Sequence, residues 1–312
     1  MNNTQNLVVS TEGLTKKYGS FTAVDELDLT ITKGEIFGLL GPNGSGKTTI
    51  ILMLLGLTEP TEGEVTVLGY DPVKQPFDVK RNVGYLPEKV GFYEHLTAEQ
   101  NLKYFGRLNR IDKNQIQQRI QESLKLVDLS SREKDKVNTF SRGMKQRLGI
   151  ANVLIKDPKL IILDEPTQGI DPKGIAEILD LFRTINKEKD ITIMLSSHLI
   201  HHVQEVCDNI GIVSKGKMRV RGEIDSEEFT LDQEWIVEFT GENISVDIYN
   251  RLLELPDLDS IETDGDELIA HCKRDLRSDI SRIIVENGGS LFSLNLKERN
   301  LIDAYRKFSE EY

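Results

Sequence analysis

Apolar positions in this chain fall into two kinds of run. Ile36-Phe37-Gly38-Leu39-Leu40, Leu160–Leu163 and Ile191–Ser196 are almost continuously apolar. That pattern predicts strands in a sheet covered on both faces, not strands that alternate between core and water. Each is followed by a segment of helical periodicity: Lys47–Leu55, Lys173–Glu188 and Leu199–Cys207. Strand, loop and helix in alternation predict an α/β layer. Leu7–Ile31 alternates more regularly and predicts an antiparallel flank. Ala98–Val127, rich in Gln, Lys and Leu, reads as mostly helical.

Past Gly222 the texture changes. Trp235–Phe239 reads as a strand and Val246–Leu253 as an amphipathic helix. Ser260–Glu262 and Glu267–Cys272 form a predicted hairpin around Asp264-Gly265-Asp266. Arg277–Glu286 reads as a helix, Ser290–Leu294 as a strand and Leu296–Phe308 as a last helix. The order β-α-β-β-α-β is the split βαβ, ferredoxin-like pattern. The expected organisation is therefore a large domain over 1–224 and a small α+β domain over 225–312.

Composition narrows the class. The chain has 312 residues, 38% of them hydrophobic, which suits a globular protein with a sizeable core. Asp and Glu total 51 against 39 Lys and Arg, a formal net charge of −12. Such acidity argues against nucleic acid as the main partner, because phosphate backbones are bound by cationic surfaces. The two cysteines, Cys207 and Cys272, are too few for a disulfide framework and fit a reducing compartment. Residues 1–6 lack the marks of a signal peptide. The longest apolar runs, Ile50–Leu55 and Leu160–Leu163, fall far short of the ~20 residues of a spanning helix. A cytoplasmic chain that meets the membrane only through a partner is the expectation.

The candidate chemistry sits at strand ends. Gly41-Pro42-Asn43-Gly44-Ser45-Gly46-Lys47-Thr48 satisfies G-x-x-x-x-G-K-[ST], between a buried strand and a helix. Its glycines allow a loop whose N–H groups converge on an anion, and the helix start adds positive potential. Lys47 would reach the β- and γ-phosphates, and Thr48 would ligate Mg²⁺. Leu160–Leu163 ends in Asp164-Glu165. Ligands of open α/β sheets lie at carboxyl strand ends. Asp164 is placed to hold Mg²⁺ and Glu165 to activate a water for in-line attack.

Further along stand Phe140-Ser141-Arg142-Gly143-Met144, Gly84-Tyr85-Leu86-Pro87-Glu88, Gln168-Gly169-Ile170-Asp171 and His198 after Ser196-Ser197, with Tyr18 upstream. In this order they resemble the nucleotide-binding subunit of an ABC transporter over roughly the first 224 residues. The resemblance implies a P-loop cassette with a RecA-like α/β core, an antiparallel β flank and a helical subdomain at about 90–155. It implies that Tyr18 stacks on adenine, that residues 41–49 including Thr49 bind ATP, and that Glu88 replaces a glutamine at the Mg²⁺. It also implies that Ser141, Arg142 and Gly143 form a signature closing on the nucleotide of a second cassette. Asp171 belongs to the D-loop, and His198 is the switch histidine. The implied function is ATP hydrolysis in a homodimer that drives a membrane permease on a separate chain, in an exporter. Soluble ABC ATPases of the ribosome or DNA are the alternative; the single motif set, the short interval from Lys47 to Ser141 and the charge disfavour it. A nucleotide-dependent scaffold without turnover is disfavoured by Glu165.

Some positions have a plainer reading. Arg142 would be strained if its place demands a positive φ, or would add a phosphate contact. His198, His202 and Cys207 invite a metal reading but lack a completed ligand set. Phe92–Leu96 either packs within the helical subdomain or meets the membrane partner. Trp235 is expected in the core, and both cysteines are expected as buried or half-buried thiols.

Overall fold

The computed structural model describes residues 6–224, 235–265, 267–297 and 305. The chain divides after Ile224 into two compact units.

In the first unit, β1 (Leu7–Tyr18) and β2 (Phe21–Thr32) form an antiparallel hairpin, and β4 (Glu62–Val67) joins the outer side of β1. A second sheet runs β5-β6-β7-β3-β8-β9: Val83–Leu86, Leu160–Asp164, Thr192–Ser197, Ile36–Leu40, Asn209–Ser214 and Lys217–Glu223. All its pairs are parallel except β8 with β9. The continuous apolar runs are its central strands: every residue of β3, β6 and β7 is buried.

Helix α1 (Lys47–Leu54) follows β3, and Ile50, Ile51, Met53 and Leu54 share one core with β1, β2, β4 and the large sheet. It is apolar on several sides because two sheets enclose it. Gly38, midway along β3, admits helix α7 (Ile200–Val206): a Cβ there would stand 2.3 Å from Val203 Cγ1 and 3.0 Å from Cys207 Sγ.

Helices α3 (Ala98–Leu108), α4 (Lys113–Leu126) and α5 (Arg142–Leu154) pack on one another. Each begins at a side-chain cap: Thr97 in a capping box with Gln100, Asp112, and Ser141. Phe92 and Tyr93 pack edge-on against Phe105 and Tyr104 of α3, so this stretch does pack within the helical region. Helix α6 (Pro172–Lys189) starts with Asp171 as cap and Pro172 at its first position. The short helix α2 (Pro76–Asn82) leads into β5. The sequence pattern did not identify α2, β4 or the β8–β9 hairpin; β4 exposes most of its residues and β9 has none buried, so neither prints an apolar run.

The second unit holds β10 (Trp235–Glu242), α8 (Val246–Leu253), β11 (Leu258–Asp264), β12 (Glu267–Cys272), α9 (Arg277–Glu286) and β13 (Ser290–Lys297). The sheet order is β11-β12-β10-β13, all antiparallel, the split βαβ arrangement. Val237, Phe239, Ala270 and Cys272 face Ile248, Leu252, Ile280 and Ile284 of the two helices. Trp235 is not a core residue: it opens β10 at the end of the sheet and is 39% exposed. The last strand runs on to Lys297, beyond the predicted Leu294. Asp266 and, apart from the helical Tyr305, the remainder of the predicted last helix lie outside the described residues.

Candidate active site

The phosphate loop connects β3 to α1 and is shaped by contacts from beneath. A Cβ at Gly41 would stand 2.3 Å from the Val213 carbonyl oxygen, and one at Gly46 2.6 Å from that of Ala23. Gly46 also has φ 110°, a conformation open to glycine, whereas Gly44, at φ 83°, has nothing within 4 Å of where a Cβ would be. Gly41 N–H donates to the Ser197 carbonyl at 3.2 Å, which ties the loop to the end of β7.

Lys47 is buried. Its ammonium donates to the Gly41 and Pro42 carbonyls at 2.7 and 3.1 Å and lies 3.4 Å from Glu165 Oε1. Burial pulls its pKa below the ordinary lysine value, opposed by Glu165 and Asp164. Thr48 Oγ1 donates to Asp164 Oδ2 at 3.2 Å. Thus the loop and the acidic end of β6, over a hundred residues apart, meet as expected.

Glu165 is the first residue past β6 and turns the chain with φ 48°, a left-handed conformation costing a non-glycine residue about 1 kcal/mol. Its Oε2 lies 2.9 Å from His198 Nδ1, while its buried Oε1 faces the Lys47 ammonium at 3.4 Å. Lys47, Glu165 and His198 therefore form a contiguous row across α1, β6 and the end of β7.

Ser196 is a part of this site that sequence reasoning overlooked. Its buried hydroxyl donates to Asp164 Oδ1 at 2.6 Å and accepts Glu165 N–H at 3.0 Å. The only signal for it is register: β6 and β7 are parallel neighbours, with Asp164 opposite Ser196. His202 lies 3.0 Å from Thr167 Oγ1, and burial lowers its pKa. His198 and His202 thus face Glu165 and Thr167 separately, while Cys207 is buried beside Gly38.

The other predicted residues lie farther out. Glu88 is exposed two residues beyond β5. Its charge and that of Asp164 both act on the half-buried Tyr85, whose phenol is pushed up to about 12, mainly by burial. Tyr18 ends β1 and is 50% exposed, with Lys16 Nζ 5.0 Å above its ring. Ser141 caps α5, accepting Met144 N–H at 3.2 Å. Arg142 opens α5 with an ordinary backbone, so the expected positive-φ strain is absent. Arg142 lies against Gly169 and Gly143 against Ile170 of their own chain, next to Asp171, which caps α6 by accepting Gly174 N–H at 3.0 Å.

The donors suit ATP and its metal. Ser45 Oγ is buried without a hydrogen-bond partner inside the loop, the Lys47 ammonium lies at its edge, and Thr48 with Asp164 offers hard oxygen atoms. A phosphate loop at the end of a central parallel strand, with an acidic pair on the same sheet, defines a phosphate-loop ATPase of the cassette fold.

Comparison with known proteins makes the assignment specific. The profile of the ABC transporter family matches residues 24–168. The chain is 36% identical over 302 residues to the bacitracin transport ATP-binding protein BcrA of Bacillus licheniformis, covering 96% of each chain. It is 40% identical to the linearmycin resistance ATP-binding protein LnrL of Bacillus subtilis, over 68% of each. Among solved structures it resembles an ATP-binding cassette crystallised as a dimer in a post-hydrolysis state with ADP and phosphate, at 26% identity and a TM-score of 0.63, covering 70% of this chain and 99% of that one. The chain belongs to the ABC transporter family, as an ATP-binding cassette. No helix among the described residues is long and apolar enough to cross a membrane.

Proposed function

We propose that this chain is the energy-coupling ATPase of an exporter whose pore is a permease on a separate chain. The contiguous row Lys47, Glu165 and His198 carries the hydrolytic part of the reading. Lys47 neutralises phosphate charge. Glu165 takes a proton from the attacking water through Oε1, the carboxylate oxygen turned toward the Lys47 ammonium and the phosphate loop. His198, 2.9 Å away, orients that carboxylate. Thr48 and Asp164, with Glu88 as a further oxygen donor, would hold Mg²⁺, which when bound neutralises the β- and γ-phosphate oxygens.

Two copies face each other in this reading. Ser141 and Gly143 at the start of α5 approach the nucleotide held by the partner's phosphate loop, and Tyr18 takes the adenine of its own. Similarity to a cassette solved as a dimer supports this arrangement. ATP binding closes the pair and hydrolysis reopens it, driving the permease. The permease holds the cassette at the inner face of the membrane. Residues 225–312 are an accessory domain of the same machine, supported by a similarity to BcrA that spans 96% of both chains. The cargo class favoured by the two named relatives is an antimicrobial compound.

The test is Glu165→Gln in the full chain. Loss of ATP hydrolysis by about 100-fold or more, with an ATP-bound dimer accumulating, is the expected result; hydrolysis at the unaltered rate overturns the role given to Glu165. For export, deleting the gene should sensitise its host to antimicrobial compounds pumped by such systems, and unchanged sensitivity across a panel would remove that cargo class.

A further inference from the structure

Arg142 occupies the middle of Phe140–Met144, yet its side chain lies on the chain's own loop ahead of α6. A Cβ built on Gly169 would stand 2.3 Å from Arg142 Nη1, 2.4 Å from Cζ and 2.9 Å from Nε. The guanidinium therefore fills the space a side chain at 169 would need. Gly169 has φ 68°, so both its backbone and its surroundings demand glycine. Next to it, Gly143 faces Ile170, with a built Cβ 3.8 Å from Ile170 Cγ2. Five residues along α5, Arg147 Nη2 pairs with Glu177 Oε2 of α6 at 2.6 Å, so α5 also meets the helix that follows this loop.

The loop beneath Arg142 has little slack. Gln168 N–H donates to the Glu165 carbonyl at 3.2 Å and Ile170 N–H to that of Thr167 at 3.3 Å, making successive turns. Thr167 is held from the other side by His202 at 3.0 Å. Gly169 is four residues from Glu165, whose own left-handed backbone is kept by the turns between them. We propose that Arg142 is a positioning residue for hydrolysis: its planar guanidinium presses on Gly169 and keeps the Glu165–Asp171 turn, and with it the Glu165 carboxylate, in place. The inference rests on the role assigned to Glu165.

A planar, fork-shaped cation and a point charge are not equivalent here. Lysine at 142 keeps the charge that a phosphate contact would use but loses the flat surface that covers Gly169. The experiment is steady-state ATPase kinetics on the full chain with R142A, R142K, G169A and R142A/G169A, alongside urea unfolding of each. R142A and R142K should both lower kcat, by about 3- to 30-fold, with the KM for ATP within about twofold and the unfolding midpoint of these exposed substitutions unchanged. R142A/G169A should lose less than the two single losses combined, because R142A removes the clash with a methyl at 169 and leaves only the cost of a left-handed alanine. Unaltered kcat in R142K, or a raised KM with kcat intact, would overturn the proposal in favour of a charge contact. A kcat loss matched by a lowered unfolding midpoint in R142A and R142K would reduce Arg142 to a structural role and overturn it too. If G169A does not fold, the comparison of R142A with R142K decides alone. Full hydrolysis by E165Q would sink the role of Glu165 itself, whereas an inactive E165Q beside a fully active R142A sinks only the positioning role.

Discussion

Ser196 Oγ donates to Asp164 Oδ1 at 2.6 Å across the β6–β7 pair, and the same hydroxyl accepts the Glu165 N–H. One buried oxygen thus fixes both carboxylate residues at the end of β6. Ser196→Ala leaves a buried N–H and a buried carboxylate oxygen without that partner, at about 1–3 kcal/mol. The expected outcome is a lower kcat and a lower urea midpoint together, read by ATPase assay and denaturant titration. Unchanged kcat would mean that Glu165 is positioned without Ser196.

His198→Ala removes the imidazole beside Glu165 Oε2 but leaves the phosphate loop intact. Hydrolysis should fall by about 10- to 100-fold while ATP affinity holds, because loop contacts rather than His198 carry binding. Equilibrium nucleotide titration together with ATPase rates separates the two quantities. Lys47→Ala should do the reverse first, weakening ATP binding; unaltered affinity would remove Lys47 from the phosphate site.

Gly38→Ala puts a methyl group where Val203 and Cys207 already lie. Overpacking there should cost about 1–3 kcal/mol. Val203→Ala on the same background should return part of it, a non-additivity that urea unfolding detects. Independent, additive losses would show that β3 and α7 yield to each other freely.

His202 gives a pH dependence with a defined sign. Burial depresses its folded-state pKa below the ordinary 6.5. Between 6.5 and that lower value the unfolded chain binds the extra proton, so stability is present above 6.5 and is lost as pH falls through the window. His202→Gln should flatten that segment of the stability–pH curve. A profile whose slope there is the same in both proteins would contradict the assignment.

Whether a feature is legible in the chain depends on how it is encoded. The buried strands β3, β6 and β7 are legible because sheets covered on both faces write continuous apolar runs. The phosphate loop is legible because its glycines and lysine are contiguous. β4 and β9 leave no such run, because β4 is mostly exposed and β9 has no buried residue. Ser196 and the Arg142–Gly169 contact are invisible for another reason: each is defined by strand register or helix placement between residues distant in sequence. Trp235 misled because bulk and aromaticity say nothing about its place at the end of a strand.

The glycines of the phosphate loop obey two different masters. Gly41 and Gly46 are held by carbonyls of the protein itself, whereas Gly44 faces open space with only its backbone angle to restrict it. A library of variants sorted for folding alone, with no nucleotide present, should therefore still reject side chains at 41 and 46 while admitting asparagine at 44. Sorted again for ATP turnover, position 44 should close as well. The invariance expected at a phosphate loop is thus only partly a record of its ligand; the rest is the imprint of two sheets meeting beneath it.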